Sequence, residues 1–510
     1  MNEKRSVLTL AGKNRDVEED SELEVPITIL DLLLPARRFR VHYKVAEVGQ
    51  VSLTTEFLLR LVFSVDGISE NNVAEFFGFD GDEMAFVLKD PEAKGFVRRE
   101  RGRLYLTDAG YALFNDDQTR PQIYEVIKNQ KVVGFDLISL ALCERAGLSS
   151  FERALPELGI RNSDYVANTS KYVPERFRHF FGEINSKKSK ELKDGVNRSL
   201  YSVDDVVSDE RFFALVPVVV KANIRRPGEP EANLEGWMSA QDLSNRPEIF
   251  HSAAEFLDNL KVPRREEDNN AFDLLLQLAP EYLKEFETRK GFNASKFFKD
   301  IGRRAGEVRR DRITIGIVGS LYLPENTKRI ISAIGHSNNR IEGEDNSYLW
   351  VYPGQNFWGA SRALEGLSET LKSEGVVQVN QNELKERDPL VIGCGKPPRH
   401  LKKHFDRIFD RPDNGSIPSS LEIMLIPQRF AAITVNTSVP ETRGYPVPLG
   451  FISFDPAVVR RVHQYLSENL PKTLSEFGGK RNVDISKLLS WPEIIESEND
   501  AEDGLKSVDD

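Results

Sequence analysis

The segment GCGKPPRHLKKHFDRIFDR, residues 393–411, concentrates more reactive side chains than any other part of the sequence. His400 and His404 stand four apart, which on a helix puts two imidazoles on one face and can hold a metal if a third ligand converges. No glutamate follows His400, so the His-Glu-x-x-His arrangement of zinc hydrolases is absent. The plainer expectation is a helix opened by Pro397 and Pro398 whose solvated face carries Lys396, Arg399, Lys402, Lys403, Arg407 and Arg411. Such a face attracts polyanions. A second basic group, Arg98, Arg99, Arg101 and Arg103, crowds one short stretch and could neutralise phosphates. A third runs from Arg289 to Arg312, with nine Lys/Arg against three Asp/Glu, and includes Arg303, Arg304, Arg309 and Arg310. There Phe297 and Phe298 sit among cations, a composition suited to stacking on single-stranded nucleic acid. A helix with an apolar face and a solvated basic face explains the same residues more simply. Of these, Arg98, Arg99, Arg101, Arg103, Arg303, Arg304, Arg309, Arg310, Lys402 and Lys403 are the candidate nucleic-acid contacts. No residue is assigned a catalytic role, and no metal or cofactor is expected.

The elements that must carry these groups can be read from local signals. Residues 50–64 place Phe57, Leu58, Leu61 and Val62 at one-face helical spacing. Ser69 is placed to cap a short helix that Gly78 stops, and a third helix from Asp82 buries Met84, Val87 and Leu88 before Pro91 ends it. GFVRRERGRLYLT then reads as two strands turning at Arg101-Gly102-Arg103, and Thr107 caps a last short helix. Three helices and a two-stranded hairpin resemble the winged helix-turn-helix, and GFVRRERGRLYLTDAG is similar to the wing of MarR-like domains. The resemblance covers about 70 residues. It implies a third helix entering the DNA major groove, yet the exposed positions expected there, Asp82, Glu83, Phe86, Lys89 and Asp90, are net acidic and repel phosphate. DNA contact through the arginine-rich wing and pure protein docking therefore remain equal alternatives.

Further along, VVGFDLISLALCERAGL and most of 131–200 suggest buried helix around Cys143, and 212–226 a buried strand closed by a turn at Gly228-Glu229-Pro230. AFDLLLQLAPEYLKEFETRK predicts a further helix. From Ile313 strands and helices alternate, which predicts an α/β layer with a mostly parallel sheet. LEIMLIPQRFAAITVNT (421–437) reads as two strands and a tight turn, followed by a strand, Asp455-Pro456 and a helix.

That layout, over about 312–470, resembles one repeat of the phospholipase D superfamily, whose active strand reads His-x-Lys-x4-Asp. The chemistry does not match. With Gln428 in the aspartate place, Leu421 and Ile423 replace histidine and lysine; shifted by one, Ser420, Glu422 and Pro427 stand there, and Thr434-Val435-Asn436 keeps only the closing asparagine. Phosphodiester cleavage of this kind needs an imidazole nucleophile and a lysine on the phosphate oxygens. His400-x-Lys402 offers both, but Asp406 falls one residue short of the spacing. The resemblance implies a fold that has lost its activity and that can pair as a homodimer. Beside a winged helix, it suggests a DNA-associated regulator or a subunit of a prokaryotic multi-gene system such as phage defence. A phosphodiesterase using His400 and Lys402, and a protein-docking scaffold, are the alternatives.

Composition bounds these readings. At 510 residues, 40% apolar and 29% charged, the chain is an ordinary globular mixed α/β protein of about three domains. The expected division is a tail at 1–24, a winged helix at 25–125, a helical and β middle at 126–311, a phospholipase-D-like domain at 312–478 and an acidic tail at 479–510. No membrane span or secretory signal is evident, and two cysteines, Cys143 and Cys394, suit a reducing cytoplasm. The net charge of −11 rules out a uniformly basic coat for nucleic acid. Phosphate-loop, nucleophile-elbow and dinucleotide-binding motifs are absent. Trp350, Phe357 and Trp358 form an aromatic loop best explained by core packing.

Overall fold

The structure, a computed structural model, describes residues 24–48, 53–114, 121, 124–161, 163–189, 198–238, 246–303, 313–337, 348–374, 377–380, 383–385, 389–411, 416–440, 442–479, 482–486 and 488–490. It is mixed α/β. Two compact units interleave along the chain rather than following one another: a smaller one of Ala36–Glu144 and Asn162–Phe212, and a larger one of Met1–Pro35, Arg145–Arg161 and Phe213–Asp510. The 25-residue strand β1 (Glu24–Val48) contributes to both.

In the smaller unit, β1 is followed by α1 (Leu53–Ser64), β2 (Ile68–Ser69), α2 (Glu70–Phe77), α3 (Gly81–Ala93), β3 (Val97–Glu100), β4 (Arg103–Leu106) and α4 (Asp108–Tyr111). The expected caps are present. Ser69 accepts from Asn72 N, Gly78 adopts the left-handed conformation at φ +71°, and Thr107 accepts from Gly110 N. Asp80 and Glu83 form a reciprocal capping box at the start of α3. Two details differ from expectation. α3 continues through Pro91 to Ala93, since a proline in the last turn forfeits one hydrogen bond without breaking the helix. α1 buries Thr55, Leu58, Leu59 and Val62, so Phe57 lies outside the buried stripe. Arg101 and Gly102 both have positive φ, as a two-residue type I′ hairpin requires. These elements close over a core of Leu58, Leu59, Val62, Val73, Met84, Leu88, Val97, Leu104, Leu106 and Phe114.

The unit continues with β5 (Tyr124–Asp136), antiparallel to β1. Next come α5 (Ser163–Ala167), α6 (Thr169–His179), α7 (Phe181–Ser189) and the long strand β6 (Arg198–Asn223), whose residues up to Phe212 belong here. Residues 131–143 were expected to be helical and are not. The buried Asp136 carboxylate accepts from the backbone N–H of Ile138, Ser139 and Ala141 and from the Ser139 hydroxyl. Those donors are the ones a helix would use, so the side chain holds a loop in which Leu140 takes φ +53°.

In the larger unit β6 pairs antiparallel with β7 (Arg226–Asn233). Gly228 therefore lies within a strand, and the reversal comes earlier, at residues 224–225. The helices α8 (Glu235–Met238), α9 (Pro247–Asn259), α10 (Glu266–Leu278) and α11 (Pro280–Leu283) lead to the short pair β8 (Glu287–Thr288) and β9 (Gly291–Phe292), then α12 (Ala294–Arg303). Beyond them are β10 (Thr314–Val318), α13 (Pro324–His336), β11 (Tyr348–Val351), α14 (Arg362–Glu374), β12 (Val377–Asn380), β13 (Glu383–Lys385), β14 (Pro389–Gly393), α15 (Arg399–His404) and β15 (Ile408–Asp410). The chain ends its described part with β16 (Leu421–Ile426), β17 (Phe430–Ser438), β18 (Pro446–Ser453), α16 (Pro456–Asn469), β19 (Thr473–Glu476) and β20 (Asn482–Asp484).

Nine of these strands form one sheet in the order β10-β18-β17-β16-β11-β14-β15-β19-β20. Its expected parallel character is confined to β11–β14 and β14–β15; the other ladders are antiparallel. Parallel neighbours need a crossover, and only α14 and α15 supply one, whereas short turns joining β16 to β17 and β17 to β18 force reversal. Within VVQVN, β12 pairs with β13 in a separate two-stranded ribbon and, among the described residues, with no strand of the large sheet. Trp350 and Trp358 are in the core beneath the sheet, as expected.

Candidate functional site

The hairpin of β3 and β4 was the leading candidate for phosphate contact. All four arginines are exposed, but three are engaged. Arg98 pairs with Glu100 and lies 5.0 Å from the Tyr105 ring. Arg99 Nε stands 3.0 Å from Glu70 and 3.3 Å from Glu92, carboxylates brought in by α2 and α3. Arg103 donates to the Gly67 carbonyl at 2.9 Å. Arg101, at the tip, makes no ion pair or side-chain hydrogen bond among the described residues. Glu70, Glu92 and Glu100 thus offset most of the charge that four arginines in ten residues suggest.

The adjacent helical face has a different character. Asp82, Glu83, Phe86, Lys89 and Asp90 are all exposed on α3, as expected. Phe86 is 78% exposed, and on α1 Leu53 and Phe57, four residues apart, are 69% and 44% exposed. A shallow hollow is lined by Thr54 of α1 and by Phe79, Asp82, Glu83, Phe86 and Val87. Leaving a phenylalanine and a leucine this open is unfavourable unless another surface covers them. Asp80, Asp82 and Glu83 put negative charge at the same end of α3, where the helix dipole favours it. Leu53 and Phe57 were missed in the sequence because the one-face pattern of α1 can be drawn in two registers, and only packing selects between them.

The other candidate residues do not come together. Arg303 is exposed at the end of α12, while Arg304, Arg309 and Arg310 lie outside the described residues. Phe297 and Phe298 are fully buried, so neither can stack on a base, and the helix with an apolar inner face is what is found. The basic run 393–411 is not one helix: α15 ends at His404 and β15 follows. Lys402 and Lys403 are exposed on α15, with Lys402 Nζ 5.3 Å from the Phe477 ring. His400 points the other way. It is buried beside Phe151, with Nε2 2.8 Å from the Trp358 carbonyl. Burial lowers the His400 pKa and, together with Lys372, brings that of His404 down to about 4. His400 and Lys402 therefore share no face on which one phosphate could meet both. No group of three or more metal-ligating side chains occurs among the described residues.

On β16 and β17 the polar side chains face inward. Glu422 is fully buried, accepting from Trp350 Nε1 at 3.1 Å and from the Thr434 hydroxyl at 2.9 Å, and Asn436 donates to Thr434 at 3.0 Å. Burial pushes the Glu422 carboxyl up to about 7, against the opposing effect of those donors. With Leu421 and Ile423 on the other face of β16, and Gln428 in the turn, this strand pair offers a sealed polar cluster and no nucleophile. No protein-family model matches the chain, and no curated protein matches it. No helix among the described residues is long and apolar enough to cross a membrane.

Proposed function

We propose that the protein is a non-catalytic binding component, and that its winged-helix-like module docks a protein partner through the face shared by α1 and α3. The observation that carries this reading is the exposure of Phe86 on a hollow that Asp82, Glu83 and Thr54 of α1 also line, with Leu53 and Phe57 exposed on that same helix α1. A complementary occupant is a basic amphipathic helix, its apolar stripe on the phenylalanines and its lysines or arginines against the carboxylates. The test is a fluorescence-anisotropy titration of a labelled, lysine- and leucine-rich amphipathic helix against the full chain. Phe86→Ser, and separately the pair Asp82→Lys and Glu83→Lys, should each weaken binding by about tenfold, the effect of losing a central contact. Unchanged affinity in both variants overturns the reading.

DNA association is the second reading, favoured by Arg101, which is exposed in a tight turn and makes no ion pair among the described residues. A salt-dependent affinity for duplex DNA that collapses when Arg98, Arg99, Arg101 and Arg103 become alanine supports it. Membership of a prokaryotic multi-gene system, with a phospholipase-D-like domain that has lost its chemistry, fits either reading.

A further inference from the structure

Among the described residues, the adjacent parallel strands of the large sheet are β11, β14 and β15, linked through α14 and α15 as a β-α-β-α-β unit. In such units the carboxyl ends of the strands leave a crevice where ligands bind. Here those ends are followed by Tyr352, Cys394 and Arg411, held side by side because Tyr352 N donates to the Ile392 carbonyl and Arg411 N to the Gly393 carbonyl. Arg411 was expected on a solvated face. It is instead only 4% exposed, its Nε is buried without an acceptor, and its guanidinium enters no ion pair or hydrogen bond among the described residues. Proteins rarely bury a cation without a counter-charge, because desolvation is then uncompensated.

The surroundings supply donors. Tyr352 packs its ring over Gly393, where a Cβ would come within 2.1 Å of it, and stacks on Trp358. Its hydroxyl has no hydrogen-bond partner among the described residues. Burial, reinforced by Asp410 and Cys394, pushes its pKa up to about 12, so it stays protonated and able to donate. Asp410, the nearest acid in sequence, accepts the Gly395 N–H at 3.1 Å, within a glycine turn at φ +71°; it remains charged near Tyr352 but makes no ion pair with Arg411 among the described residues. From α16, Tyr465 adds its ring, its hydroxyl donating to the Ser416 carbonyl at 3.0 Å.

We propose that the carboxyl ends of β11, β14 and β15 bind a compact oxyanion, the phosphoryl or carboxylate group of a small ligand, with Arg411 as its counter-charge and the Tyr352 hydroxyl as a donor. A planar guanidinium fork suits either group. The site is independent of the docking face on α1 and α3.

The experiment is thermal unfolding of the full chain in Tris chloride, with added sodium phosphate, sodium acetate or sodium chloride at matched ionic strength. About 10 mM of the preferred anion should raise Tm by about 3 °C over chloride in the wild type. A rise with phosphate alone identifies a phosphoryl site, and a rise with acetate a carboxylate site. Phosphate also stabilises proteins non-specifically, so variants decide the matter. Arg411→Met should melt higher than wild type in chloride, having lost an unpaired buried charge, and show no anion-specific rise. Tyr352→Phe, which keeps the ring on Gly393, should retain less than half of the rise, and it serves if Arg411→Met does not fold. The proposal is overturned if neither anion raises the wild-type Tm above chloride, or if the variants respond as the wild type does.

Discussion

At the scale of single residues, the structure is most informative where a polar group is buried. Glu422 carries a carboxyl at about pKa 7 against an ordinary 4.5, because it is wholly enclosed. Folding therefore takes up a proton that the unfolded chain releases between these values. The contribution is fully stabilising below about pH 4.5 and is lost as the pH rises through 7. Glu422→Gln, which keeps the acceptor for Trp350 while removing the charge, should flatten this dependence and raise stability by about 3 kcal/mol well above pH 7, two to three pKa units at about 1.4 kcal/mol each. Denaturant unfolding of both proteins across the pH range checks this, and parallel profiles would refute it. Gly393 is a steric counterpart: Gly393→Ala should cost about 3 kcal/mol, since the Tyr352 ring fills the space a methyl would need. Neither effect was visible in the sequence. A glutamate within LEIMLI can be seen, but its isolation from solvent depends on β17 and Trp350.

Secondary-structure elements were legible where their signals are local. Ser69, Gly78, Thr107 and the Arg101-Gly102 turn act within four residues of themselves and are found as expected, whereas the Asp80 cap, which starts α3 at Gly81 and not at Asp82, was not read from the sequence. Their energies can be tested locally too. Asp80→Ala removes one half of the capping box and should destabilise the chain by about 1 kcal/mol, measured by urea unfolding. Phe86→Ser, at a position 78% exposed, should change stability by less than about 0.5 kcal/mol, so a loss of binding in that variant is not a loss of fold. Elements were misread where a distant or unusual partner intervenes. Asp136 takes the backbone donors of a helix, and the strand order of the nine-stranded sheet is set by connections, not by any one strand's composition. The arginine hairpin shows the same limit: its strands were plain, but Glu70, on another helix far off in sequence, and Glu92, at the end of α3, are what pair with Arg99.

For the molecule as a whole, the net charge of −11 and the acidic α3 already argued against a broad nucleic-acid surface, and the ion pairs of the hairpin strengthen that argument. On the proposed reading, the apolar, acid-rimmed face of α3 takes a cationic helix. The measurement that addresses this most directly is hydrogen–deuterium exchange of the full chain with and without the bound amphipathic helix. Slowed exchange concentrated in residues 53–57 and 79–87 is the predicted result, because docking covers the ends of α1 and α3. Protection centred on 97–106 instead, or none in either helix despite saturating peptide, would contradict the account.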